Sequence, residues 1–153
     1  MALFLVQHGK SLPKDVDPDQ GLSREGISEV KRIADVAKGY GISVSRIEHS
    51  GKTRARKTAE IYAAALGPEE GVHERSGLKP LDDVAILSGT LKSGDGLMLV
   101  GHLPFMERLT SYLITGSPDT PVFKFQNGGI VCLDRDPETK SWMIIWALMP
   151  RIA

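Results

Sequence analysis

Two histidines in this chain stand directly after short apolar runs and beside a glycine. Residues 2–6 (ALFLV) lead through Gln7 to His8 and Gly9, and residues 97–100 (LMLV) lead through Gly101 to His102. Such a histidine is held by rigid backbone at the end of a buried strand, and Gly9 would let a ligand approach the main chain closely. Beyond His102, a helix opening near Pro104 would present free backbone amides and the positive end of its dipole. Arg54 lies near the start of another helical segment, where a guanidinium can grip an anion with two hydrogen bonds. Singly, each has an ordinary explanation: a structural histidine, or an arginine solvated within the basic run Lys52, Arg54, Arg56 and Lys57. Together on one sheet edge they describe an anion site.

The elements that would position them follow from the apolar pattern. Residues 2–6 and 97–100 are continuous apolar runs, as expected of parallel strands buried on both faces. Ser23 can cap a helix carrying Ile27, Val30, Ile33, Ala34 and Ala37 at helical spacing, with Gly39 and Gly41 as stop signals. A short strand at 44–48 is followed by a helix over 53–66, then Gly67 and Pro68. A third helix is expected near Asp82, with Val84, Leu87 and Leu91 inward, and a fourth from Pro104 to Ile114. Strands are expected at 122–125, 129–133 and 142–148, the last two joined by a turn at Asp136 and Pro137. Alternating strands and helices argue for an α/β layered domain with parallel early strands and a strand-rich C-terminal third. In such sheets ligands bind beyond the carboxyl ends of the strands, where both histidines fall.

Composition sets outer bounds. A chain of 153 residues, 41% hydrophobic and 25% charged, can bury one core, so a single domain over residues 1–153 is expected. Lys plus Arg and Asp plus Glu both number 19, which gives no general attraction for nucleic acid or an anionic membrane. The lone Cys132 cannot build a disulfide framework or a cysteine zinc site and reads as a buried strand residue. No segment approaches the roughly 20 apolar residues of a membrane span, and no secretory signal is visible at the N-terminus. A cytoplasmic monomer is expected.

The motifs resemble those of the histidine phosphatase superfamily, which includes the phosphoglycerate mutases. Gln7, His8 and Gly9 are similar to its opening Arg, His, Gly; residues 50–58, SGKTRARKT, to its Ser, Pro, two variable residues, Arg, Ala, two variable residues, Thr; and Gly101, His102 and Pro104 to its third motif. Leu22, Ser23 and Gly26, with the short length, resemble the SixA-type phosphohistidine phosphatases over essentially the whole chain. The resemblance implies a three-layer sandwich with a mostly parallel central sheet and helices on both faces. It implies that His8 is the nucleophile, that Arg54 binds the phosphoryl oxygens and that His102 supports transition-state charge. Gln7, Gly9, Gln20 and Ser50 would bind substrate. An unperturbed histidine, with a pKa near 6.5, is roughly three quarters neutral at pH 7 and so competent to attack. A backbone carbonyl on its other nitrogen would fix the reactive tautomer. Arg54 and a protonated His102 would offset phosphoryl charge. No metal or cofactor is expected, since no histidine, cysteine and carboxylate cluster has metal-ligand spacing.

The sequence departs from the family pattern at Gln7 and Gln20, both expected to be arginine, which predicts weaker phosphate binding. Lys10 and Lys14 read as solvated loop lysines rather than replacements. Esterases of the family place an acid after the second helix; here Leu78, Lys79, Pro80 puts proline there, and Asp82 or Asp83 could substitute, although Asp82 reads equally well as a helix cap. A phosphoramidate needs such an acid less. The expected substrate is therefore a phosphorylated protein, such as a phosphohistidine-containing domain, with a small phosphate ester or mere phosphate binding as alternatives. Gly51, Lys52, Thr53 is no P-loop, because the earlier glycine falls on Arg46. Asn127, Gly128 and Gly129 read as a strand connection bordering the pocket, and His49 and His73 as surface or packing residues.

Overall fold

The computed structural model describes residues 2–91 and 96–152. Its elements run β1 (Leu3–Gln7), α1 (Arg24–Gly39), β2 (Arg46–His49), α2 (Thr53–Leu66), β3 (Val72–Glu74), α3 (Val84–Ser88), β4 (Leu97–Gly101), α4 (Phe105–Thr115), β5 (Ile130–Arg135) and β6 (Trp142–Leu148). Six strands form one sheet in the order β3-β2-β4-β1-β5-β6. The first four run parallel, and β5 and β6 are antiparallel to their neighbours. This is an α/β fold with a mostly parallel mixed sheet.

The continuous apolar strands arise because helices cover both faces. Phe4, Val6, Met98 and Val100 pack with Val30 and Ile33 of α1 and Ala59 and Tyr62 of α2. On the other face, Leu3, Leu5, Leu97 and Leu99 pack with Leu87 of α3 and Phe105 and Leu109 of α4. Cys132 is buried on β5, and burial pushes its thiol up to about 11. Among the described residues no helix is long and apolar enough to cross a membrane.

Local chemistry sets the element ends. Ser23 caps α1, its Oγ accepting from the Gly26 amide at 3.0 Å. Asp136 accepts from the amides of Glu138 and Thr139, closing the turn before β6. The third helix starts at Val84, and its cap is Asp83, not Asp82; Asp82 instead accepts the Lys79 amide at 2.8 Å. The strand expected at 122–125 is not formed. The Phe125 amide is taken by the Glu107 carboxylate at 3.0 Å and its ring enters the core beside α4, while β5 occupies the sheet position next to β1. The half-exposed β3, beyond β2, had no apolar run to announce it.

Gly26 bears directly on the site. A Cβ there would lie 2.2 Å from the Lys10 carbonyl oxygen, in the loop that follows His8. Gly→Ala inside a helix normally stabilises by up to about 1 kcal/mol. Here overpacking reverses the sign: Gly26→Ala should destabilise by about 1–3 kcal/mol in urea unfolding, and an unchanged or raised midpoint would contradict this packing.

Candidate active site

Parallel pairing of β1 with β4 sets Gln7 opposite Gly101, and the His8 amide donates to the Gly101 carbonyl at 2.9 Å. The two strands therefore release their histidines side by side, with ring centroids 5.0 Å apart and planes inclined at 53°. His102 is 1% exposed. Beyond the end of β2, which is β4's other neighbour, Ser50 brings its Oγ to 2.6 Å from His102 Nε2. Arg54 lies in the first turn of α2, and its positive charge acts on both imidazoles. Its guanidinium has no carboxylate partner among the described residues.

The His8 ring has a defined donor pattern. A carbonyl only accepts, so the 2.7 Å contact between His8 Nδ1 and the Gly9 oxygen places a proton on Nδ1 and a lone pair on Nε2. Ser50 Oγ accepts weakly from the Lys52 amide at 3.4 Å and keeps both a hydrogen and a lone pair for the 2.6 Å contact with His102 Nε2. The other ring nitrogen, His102 Nδ1, is buried without a hydrogen-bond partner.

A scaffold of buried hydrogen bonds holds this arrangement. Thr58 Oγ1 accepts from the Gly9 amide at 2.9 Å and donates to the Arg54 carbonyl at 2.8 Å, tying the His8 loop to the turn carrying Arg54. Asn127 Nδ2 donates to the His8 carbonyl at 3.0 Å, and the Gly128 amide to the Gln7 carbonyl at 2.8 Å. The Tyr62 hydroxyl, fully buried in α2, donates to the Gly128 carbonyl. Thr58 closes the second sequence motif, a signal present in the sequence to which no role had been attached.

No family model matches the chain. The phosphohistidine phosphatase SixA of Escherichia coli (strain K12) is 26% identical to it over 156 residues, covering 98% of this chain and 94% of that protein. The structure of the protein histidine phosphatase SixA complexed with tungstate matches with a TM-score of 0.84 at 26% identity, over 98% of this chain and 97% of that one. The chain belongs to the histidine phosphatase superfamily. It is SixA-like in sequence and fold. An uncharacterized protein of Picosynechococcus sp. is 33% identical over 113 residues, which is 68% of this chain and 67% of that protein.

In this histidine phosphatase, burial sets the charge of the two imidazoles. Desolvation lowers His8 to about 4, opposed by the Gly9 hydrogen bond and assisted by the Arg54 charge. Desolvation likewise lowers His102 to about 3, with His8, Arg54 and Lys52 adding to it. His8 is therefore neutral at pH 7. The expected protonated His102 is corrected: without a bound anion it is neutral, because a cation there would be buried beside other positive charge. An arriving phosphoryl dianion would reverse that local field.

Other expectations change as well. Packing also requires Gly9, since a Cβ would meet Val30 Cγ2 at 2.7 Å and Leu22 at 3.3 Å. Gln7 is 8% exposed, and its Oε1 has no hydrogen-bond partner. Gln20 lies in the loop before α1 at φ +50°, its amide bonded to the Asp17 carbonyl, and none of the site's hydrogen bonds includes it. Lys10 pairs with Glu25 at 2.8 Å. His73 is exposed, and His49 is buried, accepting the Gly51 amide at 3.0 Å.

The depressed imidazoles link stability to pH. As pH falls through 6.5, the unfolded chain takes up protons that folded His8 refuses until about pH 4 and His102 until about pH 3. The unfolded state binds more protons in that window, so stability is greatest above about pH 6.5 and falls toward pH 4. Urea unfolding between pH 7 and 4.5 should show this decline, and the double variant His8→Gln, His102→Gln should flatten it. A decline of equal slope in the variant would contradict the assigned charge states.

Proposed function

We propose that this chain is a protein phosphohistidine phosphatase that works through a covalent phosphate on His8. The observation that carries the proposal is the His8 ring itself: neutral, protonated at Nδ1 by its bond to Gly9, with an Nε2 lone pair beside His102. Nε2 forms a bond to phosphorus as the phosphorus–nitrogen bond of the substrate breaks. A proton on the far nitrogen of the substrate imidazole lets it leave as a neutral ring. His8 keeps its Nδ1 proton, so phospho-His8 carries imidazolium charge against the Gly9 carbonyl. Water then attacks phosphorus, His8 departs neutral, and the proton lost by water passes to phosphate or solvent. Arg54 and His102, protonated in this reading at its otherwise unpartnered Nδ1, would hold phosphoryl oxygens throughout.

The loop chemistry favours a phosphoramidate over an ester. An ester oxygen needs a proton as it leaves, and the two acids of the loop leading into α3 are bonded to main-chain amides, Asp82 to Lys79 and Asp83 to Ala85. A phosphorylated protein, such as a phosphohistidine-containing domain, is the proposed partner. The second alternative, a phosphate-binding module of weak activity, is favoured only by the neutral Gln7.

Brief incubation with labelled phosphohistidine protein, followed by quenching in base, should trap an acid-labile, base-stable phosphate on this chain. His8→Ala should abolish both label and turnover, by about 10³-fold or more, because solvent water cannot replace a positioned imidazole. Asp82→Asn should leave phosphoramidate turnover within about twofold. Full turnover by His8→Ala would refute the covalent route, and binding without turnover in the native chain would establish the module instead.

A further inference from the structure

The site as described carries too little positive charge for its proposed ligand. A transferring phosphoryl group holds close to two negative charges spread over its oxygens. Against these stand one guanidinium, Arg54, and two imidazoles that are neutral without ligand. Gln7, at the end of β1 beside His8, contributes a buried amide and no charge.

Lys52 is the N-cap residue of α2, two positions after Ser50 and two before Arg54. Its side chain makes no capping hydrogen bond. Its amide donates to Ser50 Oγ at 3.4 Å, and the same oxygen lies 2.6 Å from His102 Nε2. The residue is half-buried, and its ammonium belongs to none of the ion pairs found among the described residues. Lys10, Arg46, Arg56 and Arg75, by contrast, are each bonded to a carboxylate. The Lys52 charge adds, after desolvation and the His8 and Arg54 charges, to the lowering of the buried His102 imidazole.

We propose that Lys52 is a substrate-binding residue, whose ammonium supplies the second positive charge to the phosphoryl oxygens that Gln7 does not provide. This deepens the phosphatase assignment and rests on it for the ligand's chemistry. Arg54 offers a planar fork of fixed geometry, whereas an ammonium on a four-carbon stem is a movable point charge. Lys52 therefore suits capture of the phosphate more than its alignment. Its loss should appear in KM and in phosphate affinity, with a smaller effect on kcat.

The test is calorimetric titration of the full chain with inorganic phosphate at pH 7.5, which requires no turnover. Lys52→Met should weaken phosphate binding about tenfold, the loss expected of one charge-assisted contact, with an unchanged melting temperature because the side chain caps nothing. Lys52→Arg should stay within about threefold of the native affinity. Gln7→Arg added to Lys52→Met should recover most of the loss. Arg56→Gln, on the same helix but paired with Glu60, serves as control and should bind as the native chain does. Native affinity in Lys52→Met, an equal loss in Arg56→Gln, or no phosphate binding by the native chain would overturn the proposal. Failure of the covalent assignment is separable: phosphate bound through Lys52 with no label on His8 sustains this inference while refuting that one.

Discussion

The site depends on the register of β1 against β4. With Gln7 opposite Gly101 and the His8 amide on the Gly101 carbonyl, two parallel strands end at the same level and release an imidazole each. A slip of one residue would turn every side chain of β1 to the other face and separate the rings. That slip is opposed by the core, because Leu3 and Leu5 belong to one layer and Phe4 and Val6 to the other. Parallel β2 on the far side of β4 adds Ser50 and the start of α2 at the same edge. The geometry of the site is thus inherited from packing, and Thr58, Asn127 and Tyr62 convert strand register into ring placement through hydrogen bonds.

The same burial that positions the rings sets their charge. A surface histidine would be partly cationic at pH 7 and lose nucleophilicity accordingly, whereas desolvation keeps His8 neutral. The cost falls on the resting state: His102 Nδ1 and Gln7 Oε1 are buried without partners, and an unpaired buried polar atom costs about 1–3 kcal/mol. Under the proposed function, a phosphoryl oxygen would pair with His102 protonated at Nδ1. Its negative charge also shifts the surroundings of both imidazoles toward their protonated forms. The ligand therefore creates part of the electrostatic environment that holds it.

Much of this was legible in the sequence. The helix at 53–66 and the strand at 142–148 emerged with the bounds observed, because helical spacing and β-rich apolar runs carry their own periodicity. Both histidines were visible as strand-end residues flanked by glycine. What was not legible depended on tertiary context. Residues 122–125 read as a strand, yet a carboxylate from α4 takes the Phe125 amide. Gly9 read as room for a ligand, and nothing in the sequence signalled that Val30 and Leu22 also require its bare Cα. Whether Asp82 or Asp83 capped the helix turned on loop geometry, and the charge of His102 on desolvation. Lys52 read as one member of a basic run, and its place beside Ser50 at the start of α2 emerged only from the fold.

The central claim is that the free protein holds His8 neutral with its proton on Nδ1 and an available Nε2. Long-range proton–nitrogen correlation spectra of ¹⁵N-histidine-labelled protein at pH 7, assigned with His8→Gln, measure this directly. The account predicts a protonated, pyrrole-like Nδ1 and an unprotonated, pyridine-like Nε2 for His8, persisting down to about pH 5. An imidazolium at pH 7, or the opposite tautomer with its proton on Nε2, would contradict it.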